Sequence, residues 1–373
     1  MKKTFISLLI TALAFFGIVI SVGVFTRDQK DEFKVAMVTD FSDVNDASFN
    51  QACYEGAKEW SRQYNIKFNY YKPAGTTDPE RIKALTLAID RGYDVIFCPG
   101  FALAKPIAKV APNHPDVKFL GLDISQGDFG NFTLTDNICV FNYQEEIAGY
   151  LAGYAAVKQG YSRLGYLGGL KIDPVMRFGY GYVQGIGDAA KELNEDVLVK
   201  YSYGGQFYGD SEIYKAVDAW YKPNNNVEVV FACGGSIYTS VALAAKENGG
   251  KMIGVDSDQA PIIDRDYGEG ICITSAMKAM KQTIIDKLEA LYKSGTWAKG
   301  EIIDLGLVSS EEPEHNYVQL PLNDWRLDKF SIDEYKQLIK EIIDGTRIVN
   351  SELPKTPPYD SEHVTLDYKE KIK

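Results

Sequence analysis

The sequence predicts an α/β protein of two similar lobes, each built on a parallel sheet. Three observations carry that prediction. The chain has 373 residues, and at roughly 100–200 residues per domain two domains are the prior. From residue 34 onward, short apolar runs alternate with amphipathic stretches. The rhythm then restarts near residue 163. Strands separated by single helices pair in parallel through right-handed crossovers, so two such arrays mean two sheets.

The first array begins with Val35–Thr39 (VAMVT), a continuous apolar run suited to a strand covered on both faces. A helix is predicted from about Asp46 to Tyr64. Ile66–Tyr71 (IKFNYY) alternates as a strand. Asp78-Pro79-Glu80 opens the next helix, with Asp as N-cap and Pro in the first turn. Asp94–Cys98 is a strand, Ala104–Val110 a helix, and Val117–Leu122 and Ile138–Phe141 are strands. Gln144–Val157 is a helix. In the second array Arg163–Leu167, Val197–Tyr201, Val227–Ala232 and Met252–Val255 are strands, separated by helices at Val175–Leu193, Ser211–Trp220 and Tyr238–Lys246. Strand-like Ile271–Thr274 and Ile302–Leu307 follow, with helices near Lys278–Lys293 and Ile332–Asp344. The expected division is 1–33 as an N-terminal segment and linker, 34–141 plus about 257–300 as the first lobe, and 142–256 plus about 301–345 as the second. Residues 346–373, charged and Pro-containing, read as an irregular tail.

The N-terminus is a compositional outlier. Lys2 and Lys3 precede Phe5–Phe25, a stretch with no charged residue. As a helix it would be about 31 Å long, enough to span a bilayer. An export signal has this charged opening, and Ser21-Val22-Gly23 offers a mediocre cleavage site. An uncleaved anchor is favoured over a cleaved signal and over a buried core helix. The lysines would stay inside and residues 26–373 would lie on the extracytoplasmic face of the cell membrane.

The net charge of −11 repels phosphate backbones and disfavours nucleic acid as a partner. The cysteines, Cys53, Cys98, Cys139, Cys233 and Cys272, are odd in number and never at CxxC spacing, which argues against a disulfide scaffold. Cys98, Cys139, Cys233 and Cys272 adjoin apolar runs, as buried thiols do. The histidines, His114, His315 and His363, are far apart, so no zinc-type cluster is visible. The sequence contains no GxxxxGK[ST], GxSxG or HExxH pattern. Gly179-Tyr180-Gly181 with Gly185 has GxGxxxG spacing and lies well past its strand, so it reads as close helix packing and not as a dinucleotide loop. No cofactor, no metal and no enzymatic activity are expected.

Ligands of open parallel sheets bind outside the carboxyl ends of the strands. Polar and glycine residues cluster there: Asp40, Gly100, Asp123, Gly168, Gly204, Gly234, Gly235 and Asp256. Singly, each reads as a turn or cap residue. Together, in both lobes, they outline one cleft.

Three of these segments, Asp40-Phe41-Ser42-Asp43 running into Asp46-Ala47-Ser48-Phe49-Asn50-Gln51, Ala232-Cys233-Gly234-Gly235-Ser236, and Gly254-Val255-Asp256-Ser257-Asp258-Gln259 with Thr274-Ser275-Ala276-Met277-Lys278, resemble the basic membrane protein family. Glu145-Glu146-Ile147-Ala148-Gly149-Tyr150-Leu151-Ala152-Gly153 and Arg177-Phe178-Gly179-Tyr180-Gly181 add to the likeness, which covers roughly residues 34–345. That family comprises extracytoplasmic substrate-binding proteins of ABC importers, including purine-nucleoside receptors. The resemblance implies a type I periplasmic-binding-protein fold, with two Rossmann-like lobes joined by a hinge of three crossovers. It implies a monomeric receptor that binds a small molecule, a purine nucleoside, and delivers it to an ABC permease. Phe49 and Phe207 would stack on the base. Asp40, Asn50 and Asp123 would address its polar edge, and Asp256, Lys278 and the backbone of Gly234 or Gly235 would hold the ribose. Asp258 and Arg177 are second-line candidates. Read without the resemblance, Phe49 is a core residue of its helix and Lys278 a solvated helix start. The chain departs from lipoprotein members in lacking a lipid-accepting cysteine near the N-terminus, and its apolar segment would replace that anchor. Alternatives are a non-nucleoside ligand, a sensor of the same fold that signals to a membrane partner, a nucleoside hydrolase, and a DNA-binding regulator.

Overall fold

The computed structural model describes residues 32–40, 43–354 and 362–372. The apolar segment 5–25, and with it the anchor or signal expected there, lies outside the described residues. Among the described residues, no helix is long and apolar enough to cross a membrane.

Two sheets organise the chain. The first contains Lys34–Val38 (β1), Lys67–Tyr71 (β2), Val95–Pro99 (β3), Lys118–Leu122 (β4), Ile138–Tyr143 (β5) and Glu301–Leu305 (β11), in the order β11-β5-β4-β3-β1-β2. The second contains Arg163–Gly168 (β6), Val197–Tyr203 (β7), Val229–Cys233 (β8), Lys251–Asp256 (β9), Cys272–Lys278 (β10), Val318–Gln319 (β12) and Val364–Tyr368 (β13), in the order β12-β10-β9-β8-β6-β7-β13. Every pairing is parallel except the short antiparallel contact of β10 with β12. Central strands such as β3 and β8 are buried along their whole length. Helices cover both faces, so their sequences are continuous apolar runs. The edge strands β2 and β11 are only partly buried, which matches their mixed sequences.

The helices are Phe49–Gln63 (α1), Asp78–Asp90 (α2), Ala104–Val110 (α3), Gln126–Phe129 (α4), Glu145–Lys158 (α5), Asp173–Leu193 (α6), Ser211–Tyr221 (α7), Tyr238–Asn248 (α8), Ala260–Tyr267 (α9), Met280–Ser294 (α10) and Ile332–Ile343 (α11). Thr77, one residue before the expected Asp78, is the N-cap of α2 and forms a capping box with Glu80.

Among the described residues, the chain passes between the sheets three times, at Tyr143–Glu145, Lys278–Met280 and Leu305–Val318. The hinge therefore has the three connections expected. The expected division of the C-terminal third does not hold for its strands. β10 extends the second sheet beside β9, with Ser275 opposite Gly254, and does not join the first lobe. Helix α9, short and absent from the sequence reading, supplies the crossover that carries β10 there. β11 extends the first sheet beside β5 and does not join the second. The tail is also not wholly irregular, because β13 pairs with β7.

Helices α5 and α6 lie in backbone contact. A Cβ on Gly181 would fall 1.8 Å from the Glu146 carbonyl oxygen, one on Gly185 2.0 Å from that of Tyr150, and one on Gly149 2.0 Å from that of Phe178. Gly181 and Gly185 of the GxGxxxG pattern thus serve helix packing, as the sequence suggests, while Gly179 leaves room for the Tyr201 hydroxyl and the Tyr166 ring of the sheet. The helix packing brings Arg177, on α6, against the first turn of α5.

Candidate functional site

A cavity opens between the carboxyl ends of the two sheets. All nine site residues expected from sequence line it: Asp40, Phe49, Asn50, Asp123, Phe207, Gly234, Gly235, Asp256 and Lys278. Lining residues outside that set are Asp46, Phe101, Ile172, Pro174, Val175 and Phe178, among others. Asp46 stands within a segment that the sequence already singles out. Phe178 follows Arg177 directly. Neither carried a signal separating it from core or loop.

Lys278 is the centre of the site. It ends β10 and stands 4% exposed at the second crossover. Its ammonium pairs closely with Asp123. Glu145 Oε1 and Asp256 Oδ1 each lie 3.5 Å away. The Phe49 ring centroid is 5.0 Å from the same nitrogen and that of Phe178 5.6 Å. Burial alone would lower the lysine pKa, but the carboxylates of Asp123, Asp256 and Glu145 outweigh it and hold the ammonium above its ordinary value. Lys278 is thus a buried cation compensated from several sides, not a solvated helix start.

Asp123 follows β4 and Asp256 ends β9, equivalent positions in the two arrays. Both have left-handed backbone, φ +52° and +66°. Such conformations are uncommon outside glycine, Asp tolerates them better than most residues, and they cluster where binding geometry matters. Burial, with Glu145 and Asp256 nearby, pushes the Asp123 carboxyl up to about 7 despite Lys278. Its Oδ1 is buried without a hydrogen-bond partner, as is Oδ1 of Asn50. Two unsatisfied acceptors at the cavity wall suit a ligand that brings donors.

Asp46 accepts hydrogen bonds from the backbone N–H groups of Ser48, Asn50 and Gln51 at 3.0–3.1 Å. It thereby orders the turn that presents Phe49 and Asn50. Burial raises its pKa. Ser48 Oγ donates to Asp256 Oδ2 at 2.6 Å, and Gln259 Nε2 donates to the Ala47 carbonyl at 3.1 Å. These bonds join the first lobe to the second across the cleft. Phe207 lies against glycine: Cβ atoms on Gly169 and Gly234 would fall 2.4 and 2.7 Å from its Cδ1. Gly234 also has φ +140°, so both space and backbone favour glycine there.

The second-line residues stand outside the cavity. Arg177 Nε donates to Glu145 Oε2 at 2.5 Å, one step behind Lys278. Glu145 begins α5, where the helix N-terminus favours negative charge. Asp258 accepts from the Ala260 backbone N–H at 3.1 Å and lines a neighbouring groove. All five cysteines are free and buried. Among the described residues, no group of three or more His, Cys, Asp or Glu side chains is placed to hold a metal ion.

The lining is therefore apolar and aromatic on its broad surfaces, with carboxylates and one amide at defined points. Four aspartates face a single lining lysine. The arrangement suits a flat, neutral molecule rich in hydrogen-bond donors and disfavours an anionic one.

A family model for PnrA-like ABC transporter substrate-binding proteins matches residues 33–352. The ABC transporter nucleoside-binding protein BmpA of Lactococcus lactis subsp. cremoris is 28% identical over 331 residues, covering 82% of this chain and 90% of that protein. An uncharacterised lipoprotein of Pyrococcus abyssi is 26% identical, covering 91% and 85%. Among solved structures, an ABC transporter solute-binding protein of Aeropyrum pernix K1 superposes with a TM-score of 0.66 at 18% identity, covering 84% of this chain and 86% of that one. That likeness shows the fold.

Proposed function

This chain belongs to the family of PnrA-like ABC transporter substrate-binding proteins, and from that premise we propose that its cleft binds a purine nucleoside for delivery to an ABC permease. The observation that carries the ligand class is the pair of unpartnered buried acceptors, Asn50 Oδ1 and Asp123 Oδ1, set among aromatic rings. A nucleoside offers two flat faces to Phe49 and Phe207 and donors on its base edge to Asp40, Asn50 and Asp123. Asp256 accepts from the ribose hydroxyls, with Lys278 and the backbone of Gly234 or Gly235 beside it. The nucleoside-binding relative supports this reading at the level of the name. The lobes close around the ligand by hinge motion at the three crossovers. The protein acts as a monomeric receptor at the extracytoplasmic face. Residues 5–25 tether it there, in the place of the lipid that the lipoprotein relative's name describes.

Thermal unfolding in the presence of inosine, guanosine, adenosine, the matching monophosphates, ribose and amino acids tests the reading. Stabilisation by nucleosides alone, with the nucleoside recovered intact, is expected. Stabilisation by another class and none by nucleosides overturns it.

A further inference from the structure

The family match ends at residue 352, yet β13 lies beyond it. It pairs with β7 from Val364 opposite Val197 to Tyr368 opposite Tyr201. The ladder continues with the Lys369 N–H on the Tyr201 carbonyl at 2.9 Å and the Ile372 N–H on that of Tyr203 at 3.2 Å. Three routes lead from this strand to the cavity. In the first, β7 runs into the Gly204–Phe207 turn, where Gly204 and Gly205 donate to the carbonyls of Gly168 and Gly169 at 2.7 and 3.0 Å. In the second, Lys171 Nζ reaches Glu370 Oε1 at 2.8 Å and the Tyr368 hydroxyl at 3.5 Å, and Ile172, the next residue, lines the cavity. In the third, Tyr368 packs on Tyr201 with centroids 5.7 Å apart, and Tyr201 packs on Tyr166 at 4.5 Å. The Tyr166 hydroxyl donates to the carbonyl of Val175 at 2.5 Å, and Val175 also lines the cavity.

We propose that residues 362–372 brace the second lobe's side of the cleft, with Lys171, Tyr368 and Glu370 as positioning residues that set ligand affinity from outside the cavity. Without β13, β7 becomes an edge strand with open backbone groups, and edges exchange and fray more readily than paired strands. A wall that is ordered only part of the time lowers apparent affinity by that fraction. The Lys171–Glu370 pair is partly exposed, at 28% and 65%, and such pairs are weak alone. Strand pairing is therefore the larger contributor.

Two variants test this against the full chain: one ending at Glu352, and a full-length Tyr368→Ala/Glu370→Gln double substitution. In the ligand-free proteins, amide hydrogen exchange at residues 168–175 and 203–207 is expected to quicken at least tenfold in the shortened chain and by a smaller factor in the double variant. Exchange in β1, β3 and β4 should not change. Inosine affinity should weaken about three- to thirtyfold, through slower apparent association as the binding-competent fraction falls; this part rests on the nucleoside reading. If inosine does not bind the full chain, that reading fails, and exchange alone decides the brace. Should the shortened chain not fold, the double variant decides. Unaltered exchange at both segments in the folded variants overturns the proposal.

Discussion

Replacing Asp123 with Asn should flatten the dependence of stability on pH. Asp123 is buried beside Lys278, and its carboxyl is raised from 3.8 to about 7 by burial, with Glu145 and Asp256 adding to the shift. A carboxyl raised in this way holds its proton more tightly folded than unfolded. Its contribution to stability is complete below the unfolded value and is lost as pH climbs toward 7. Across an interval of about three units, at about 1.4 kcal/mol each, the loss is at most about 4 kcal/mol. Asn keeps the size, tolerates the left-handed backbone, leaves Lys278 with Asp256 and Glu145, and does not titrate. The assay is thermal unfolding of the ligand-free protein from about pH 4 to 8, which spans the interval between the two values. The wild type should lose more stability than the variant as pH rises. Burial also raises Glu146 to about 7, and this contribution remains in both proteins, so the difference between their curves isolates Asp123. Parallel curves across the range would refute the assignment. Nucleoside donors favour the ionised carboxylate, so inosine should bind the wild type more tightly as pH passes 7, and the variant should lose that trend.

Two further outcomes follow from the geometry. Phe207→Ala removes a half-buried ring at the cavity wall. At about 1–3 kcal/mol per stacked base, calorimetry should show inosine bound roughly five- to 150-fold more weakly, and a change under twofold would remove Phe207 from the stacking role. Gly181→Ala places a methyl 1.8 Å from the Glu146 carbonyl oxygen. The helices must part, at a cost of about 1–3 kcal/mol or more, so the urea midpoint should fall. Gly127→Ala, whose methyl would meet only Ser125 Oγ at 3.4 Å, should leave the midpoint nearly unchanged.

Much of the architecture was legible because burial on both faces leaves a plain signature. The runs at Val35–Val38 and Val229–Cys233 admit little besides a central strand. The convergence on one cavity was legible for a related reason: Asp40, Asp123, Gly234 and Asp256 all stand at strand ends, where an open parallel sheet places its ligands. Phe49 and Lys278 needed the family resemblance, since a helical Phe and a lone Lys have ordinary explanations. Strand partners were less legible. Whether Cys272–Lys278 and Glu301–Leu305 join one sheet or the other depends on which edge stands open in three dimensions, and no local pattern records that. Val364–Tyr368 was lost in a charged, Pro-containing stretch because five residues on an edge carry a weak alternation. Arg177 was attractive as a ligand contact. Its position opposite Glu145 follows from glycine-mediated helix contact, which fixes depth and angle only once both helices are built.

The placement of β11 has a consequence for how the molecule is made. β5 and β11 are hydrogen-bonded neighbours, yet the whole run from β6 to β10 lies between them in the chain. As the nascent polypeptide emerges, its first lobe has an unpaired β5 border and lacks α10, whose Glu289 accepts from the Trp60 indole of α1 at 2.9 Å, until the second lobe has been synthesised. Such long-range pairing slows folding, and an open strand border invites wrong partners meanwhile. The two lobes therefore mature as one interdependent unit. A defect that delays the second lobe leaves the first incomplete, even though every residue of its first five strands has already been made.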